Sequence, residues 1–156
     1  MRYYLFYIVL LWPFFCVSCG SNESNETSEE CFSVSENGVH DFGECNRKQE
    51  LSNTFTLVNQ SENAVKITMM KSSCACTWVD NENHIVGQII QAGSSLDIPV
   101  QLKISSSQDS ASGKVLVHYH QLDHRGKNIR DGSLTLQVSG TASRDYRIDP
   151  QDSNSH

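Results

Sequence analysis

Clusters of basic residues are missing from this sequence, as are a glycine-rich phosphate loop, a long internal repeat and a sustained helical period of apolar residues. Its 156 residues carry 12 Lys and Arg against 18 Asp and Glu, a formal charge of −6. A net acidic chain without grouped cations has no electrostatic footprint for nucleic acid or for an anionic lipid surface. Hydrophobic residues make up 38%, and residues 3–18 hold a large share of them. The rest suffices for a thin two-layer core and falls short of a helical membrane bundle. The length leaves room for one domain. No grouping of Ser, His and Asp carries a nucleophile elbow or a catalytic cysteine motif, so the expectation is a protein that is not an enzyme.

The one long apolar run, YYLFYIVLLWPFFCVS at residues 3–18, follows Arg2. A membrane-crossing helix needs roughly twenty such residues, and Pro13 would kink it. Residues 1–18 therefore read as a signal peptide. Its end, Cys16-Val17-Ser18-Cys19-Gly20, resembles the bacterial lipobox with Cys16 where Leu or Val is usual. That resemblance implies lipidation at Cys19 and a place in the cell envelope, lipid-anchored, facing the periplasm or the cell exterior; ordinary cleavage near Ser18 or Gly20 and an uncleaved anchor stay open. Removing residues 1–18 takes away only Arg2, which leaves a net charge of about −7. Residues 19–30 include four Glu and no large apolar side chain, and they read as a flexible acidic linker. The polar tail, residues 143–156, reads as disordered. Asn22, Asn25 and Asn59 open glycosylation triplets, a weak signal in so polar a chain.

Residues 31–142 alternate with a period of two. Leu51, Phe55 and Leu57 form one apolar set; Val65, Ile67 and Met69 a second. Leu96, Ile98, Val100, Leu102 and Ile104 form a third, followed by Val115, Val117 and Tyr119, then Leu134, Leu136 and Val138. Each reads as a half-buried strand. With a first strand split over 32–34 and 40–42 and a short one near 85–90, the count is about seven. Turn chemistry separates the strands at 59–63, 91–94, 105–113 and 125–132. Pro99 has no amide donor, so its strand should be an edge or carry a bulge there. The expectation is an all-β protein, a seven-stranded immunoglobulin-like β-sandwich preceded by the signal segment.

His40-Asp41-Phe42-Gly43-Glu44, Phe55 to Asn59, Ser73-Cys74-Ala75-Cys76-Thr77, Ile90 to Gly93 and Leu136 to Gly140 follow one another in a familiar order. In that order and spacing the chain resembles a bacterial envelope domain family of unknown function. The signature of that family is DFG, then F…N, then sCGCT, then PG, then a closing v.G. The family is similar to Hydin-type and major-sperm-protein-type immunoglobulin-like domains. The likeness covers about residues 32–142, and its Cys-x-Cys-Thr element is the most specific part. Ala75 replaces the middle glycine, Ala92 replaces the proline, and Cys45 is extra. The resemblance implies a fold and an envelope setting, with no established reaction. Gly43 and Gly93 suit turns of positive φ, and Phe42 should anchor the first strand.

Besides Cys16 and Cys19, four cysteines remain: Cys31, Cys45, Cys74 and Cys76. Outside the inner membrane such thiols oxidise, and three pairings are open. An up-and-down path puts Cys45, Cys74, Cys76 and His84 at one end and Cys31 toward the other. The first expectation is a structural disulfide from Cys45 to Cys74 or Cys76, closing about 30 residues and contributing on the order of 3–4 kcal/mol. The second is a Cys74–Cys76 disulfide, strained and redox-prone, which requires a turn because a strand would separate the two alpha-carbons by nearly 7 Å. The third is a copper or zinc site on Cys45, Cys74 and Cys76 with His84 or Met70, since soft sulfur favours these ions. Free thiols, a Cys31–Cys45 bridge and an intermolecular Cys31 bond also stay open.

His118-Tyr119-His120-Gln121-Leu122-Asp123-His124 is one residue too long for the H-x-H-x-D-H pattern of metallo-hydrolases. His118 and His120 then read as a solvated pair on the face opposite Val117 and Tyr119. Met69-Met70 reads as core filler plus an exposed neighbour. The functional expectation is a non-catalytic, envelope-anchored module that binds another envelope protein or polymer, with no resident cofactor. The alternative is a thiol-redox or copper-handling protein acting through Cys74 and Cys76.

Overall fold

Alternating side chains become two stacked sheets of nine strands in the computed structural model, which describes residues 31–143. The strands are β1 (Phe32–Val34), β2 (Val39–Cys45), β3 (Glu50–Asn59), β4 (Ala64–Ser72) and β5 (Thr77–Val79). After a one-turn helix, α1 (Glu82–Ile85), come β6 (Ile89–Ile90), β7 (Ser95–Lys103), β8 (Ser110–Leu122) and β9 (Asn128–Ala142). One sheet has the order β1-β3-β7-β5, the other β2-β9-β8-β4-β6. All pairings are antiparallel except β2 with β9. The segments read as a signal peptide and an acidic linker, with Cys19, and the tail beyond Ser143 lie outside the described residues.

The immunoglobulin-like sandwich is present, with nine strands where about seven were expected. The split first strand accounts for one. Its halves join different sheets, and Glu36, Asn37 and Gly38, all at positive φ, turn the chain from one to the other. The other is β5, too short to show a period of its own. Residues 85–88 close α1 and the turn after it, so the strand expected near 85–90 shrinks to β6. Gly43 and Gly93 take positive φ (64° and 73°), the first at a register shift in β2. Phe42 packs partly buried against the core.

The core is mainly aliphatic. Phe55, Leu57, Ile98, Val100, Leu102 and Ile104 from one sheet meet Val65, Ile67, Val115, Val117, Leu136 and Val138 from the other, all at 0% exposure. Burial of this kind stabilises by about 1.5–3 kcal/mol per side chain. Met69 departs from the expected alternation. A bulge between Ile67 and Met69 shifts the register by one, so Met70 enters the core and Met69 faces solvent. Pro99 lies in β7 beside Thr54 of β3. On the other flank β5 ends opposite Val100, and the Pro99 carbonyl accepts from Asp80 N just beyond it. The missing amide thus falls where β7 becomes an edge.

Candidate functional site

The chain leaves the five-stranded sheet at Ser72 and enters the four-stranded sheet at Thr77, and residues 73–76 make that crossing. A turn closes it, with Thr77 N donating to Cys74 O at 3.3 Å. Both flanks are tied down. Ser73 N donates to Lys114 O (2.8 Å) and Lys114 N to Ser73 Oγ (2.9 Å), fastening the turn to β8. Lys103 N donates to Cys76 O (2.9 Å), fastening it to β7. The turn brings the alpha-carbons of Cys74 and Cys76 to 5.2 Å, within bridging range, and the two are joined by a disulfide. Both cysteines are half-buried and Ala75 between them is exposed. Ala75 keeps a negative φ, so its side chain costs no backbone strain here.

The expected bridge from Cys45 to Cys74 or Cys76 is not formed. The end was read correctly. Lys48, in the turn after Cys45, bonds Ile104 O, one residue from the Lys103 that holds Cys76. The lateral position was not. Cys45 sits on β2, three strands from β4 in the order β2-β9-β8-β4, a span of roughly 14 Å. Its Sγ packs over Gly140 and donates to Thr141 O at 3.4 Å. Burial pushes the Cys45 thiol above its ordinary value; a hydrogen bond with the Thr141 backbone opposes this and the Asp41 carboxylate adds to it. Cys31 lies at the opposite end, buried, its carbonyl accepting from Gln60 N and its Sγ from Gln121 Nε2.

The proposed metal ligands are not assembled either. β5 carries the chain away from the cysteines before α1 begins, and His84 is exposed on that helix. Met70 is in the core, and the sulfurs of Cys74 and Cys76 are spent on each other. Among the described residues no group of three or more His, Cys, Asp or Glu is placed to hold a metal ion. The residues present do not fit copper or zinc. His118 and His120 lie half-exposed on the outer face, His120 Nε2 being 3.1 Å from Asp131 Oδ1.

Two close neighbours of the disulfide escaped the sequence reading. Thr77 is buried (1% exposed), and its Oγ1 lies 3.6 Å from Cys74 Sγ and 3.8 Å from Cys76 Sγ. A disulfide sulfur has no hydrogen, so the hydroxyl is the donor. Gly113 makes the space, because a Cβ there would overlap the Thr77 hydroxyl. Gly113 was taken as the end of a turn, yet it lies inside β8, opposite Val138. An isolated glycine in a strand signals close approach of another group, and that signal was there to read.

The second feature of note is an open strand edge. β2 pairs only with residues 137–142 of the fifteen-residue β9. The stretch before it borders a groove of about 690 Å³ between the two sheets, lined by Phe32, Val34, Tyr119, Arg130 and Leu134 among others.

A family model for proteins of unknown function, DUF1573, matches residues 32–133. The chain belongs to the DUF1573 family. No curated protein matches it in sequence. Among solved structures it is similar to the VesB protease of Vibrio cholerae, with a TM-score of 0.56 and 15% identity over 72% of this chain and 32% of that one. The ASH/PapD-like domain 7 of human CEP192 gives 0.55 and 11% over 72% and 85%. SSP-19, an MSP-domain protein of Caenorhabditis elegans, gives 0.51 and 16% over 70% and 99%. This DUF1573 chain thus spans about a third of the VesB protease. At such identities the likeness shows the fold, an MSP- or PapD-like immunoglobulin sandwich.

Proposed function

We propose that this protein is a non-catalytic envelope module, anchored by lipid on Cys19, that binds another envelope protein or polymer along a sheet edge. The observation that carries the reading is the open stretch of β9 before Thr135, where β2 supplies no neighbour; beyond it Gly38 approaches the Thr135 carbonyl and then β2 takes over. Such an edge presents unpaired backbone donors and acceptors, and an added strand satisfies them while side-chain pockets select the sequence. The adjoining groove offers Phe32, Tyr119 and Leu134 as apolar wall and Arg130 as a cation. Export is supported by the apolar run at residues 3–18 and by the disulfide, which needs an oxidising compartment.

The test is a photo-crosslinking amino acid placed at Ser133, on the open edge, or at Thr54, on the outer face of the other sheet. A discrete adduct from Ser133 alone, in intact cells, is the expected outcome. Equal, diffuse labelling from both positions overturns the edge reading. Mass spectrometry of the mature N-terminus tests the anchor, and a diacylated Cys19 is expected.

A further inference from the structure

We propose that the Cys74–Cys76 disulfide is a thiol-exchange site whose substrates are cysteine thiols of a partner protein, with the Thr77 hydroxyl receiving the thiolate that leaves. This goes beyond the binding reading, adding to the module an exchange in which its own disulfide is consumed, and does not depend on it.

Four observations converge. The bond is reachable, because neither cysteine is fully buried and Ala75 between them is exposed. It closes a ring of three residues, whose loop entropy is less than half that of a 30-residue staple, so stabilisation is a poor account of it. The turn does not rely on the bond. Ser73 is fastened to β8 and Cys76 to β7 by backbone hydrogen bonds, so the two sulfurs stay adjacent once parted. Finally, among the described residues the buried Thr77 hydroxyl has no acceptor other than these two sulfurs. A neutral disulfide sulfur accepts weakly, whereas a thiolate accepts strongly through a charge-assisted bond. The hydroxyl therefore interacts better with the opened state than with the closed one, and preferential binding of developing charge lowers a barrier. Gly113 keeps the hydroxyl in place, at the expense of a weakened position inside β8.

In the step, a partner thiolate attacks one sulfur, a new S–S bond forms between the proteins, and the Cys74–Cys76 bond breaks. Its electron pair departs on the other sulfur as a thiolate, which Thr77 Oγ1 holds by hydrogen bond. A second partner thiol then attacks the partner sulfur of the mixed disulfide. Two protons from the partner end on Cys74 and Cys76, this protein gains two electrons, and the partner leaves as a disulfide. The hydroxyl lies under both sulfurs, so either can be the one attacked.

The experiment incubates the full chain in glutathione buffers of graded ratio and reads Cys74 and Cys76 by alkylation and peptide mass spectrometry. Half-reduction within the glutathione range is expected. Thr77→Val should slow exchange with dithiothreitol about ten-fold or more, and Thr77→Ser should restore it. A disulfide that stays closed in excess reduced glutathione, or a T77V rate equal to wild type, overturns the proposal. Should T77V not fold, the pH profile of alkylation of the reduced wild-type chain decides. One of the two thiols must titrate below the usual value near 8.5, and both at or above it would sink the idea.

Discussion

Asn59 illustrates how one buried polar side chain can fix a corner. It is fully buried, its Nδ2 donates to Asn63 O (2.9 Å) and Ile90 O (3.0 Å), and its Oδ1 accepts from Ser61 N (3.0 Å) and Ser61 Oγ (2.7 Å). Every polar atom is used, so the glycosylation triplet it opens has no free amide. Asn59→Ala takes a donor from both carbonyls, of which Asn63 O keeps Ser61 Oγ, and leaves Ser61 N without its acceptor; it should cost about 1–3 kcal/mol, read from the denaturant midpoint. Cys45 shows the opposite case, a thiol kept protonated. Its folded-state value is raised, so its contribution to stability is present below the unfolded value and is lost as pH rises through the folded one. At pH 8, iodoacetamide should label Cys45 several-fold more slowly in the native chain than in urea, by peptide mass spectrometry. Equal rates would remove the effect.

Among the elements, the crossing turn at residues 73–76 and the β8–β9 hairpin make separate predictions. Replacing both Cys74 and Cys76 by Ser should cost no more than about 2 kcal/mol, since so small a ring holds little loop entropy and the backbone ties remain. A loss near 4 kcal/mol in a urea titration would mean that the bond is a staple after all. In the hairpin, Asp123 Oδ1 accepts from Lys127 N (2.9 Å) and Arg125 N (2.8 Å). The Lys127 backbone bond is the main reason its carboxyl sits below the ordinary range. A depressed value means support present above the unfolded pKa and lost as pH falls through the folded one. The Lys127 amide should therefore exchange faster with deuterium in Asp123→Ala than in wild type at neutral pH, and that difference should vanish in acid.

These elements also mark what could be read from sequence. Period-two alternation reports which residues face inward, and it placed the long strands and the core. It carries no information on lateral strand order, which is why Cys45 was matched with Cys74 across three strands. It also fails for three-residue strands such as β5 and at bulges, where Met70 displaced Met69. The Cys-x-Cys-Thr element was legible as a candidate site. The contact of its Thr with both sulfurs was not, because that contact depends on Gly113, thirty-six positions away on the other sheet.

On the scale of the molecule, closure depends on the last strand. β9 is the neighbour of both β8 and β2, and it supplies Leu136 and Val138 to the core. A chain ended after residue 136 loses the whole β2 pairing as well as Val138, so it should lack the native β-sheet circular dichroism spectrum. Retention of a cooperative thermal transition in that truncation would contradict this account.

The parallel register of β2 with β9 has a mechanical corollary. The first residue of β2 and the last of β9 lie at opposite ends of the shared ladder, Val39 beside Gln137 and Cys45 beside Ala142. Tension that draws the two termini apart loads those hydrogen bonds in shear, all at once, instead of unzipping them singly. A tethered domain of this build yields first by peeling the three residues of β1 and then holds, behaving under force as a short extensible leash followed by a lock.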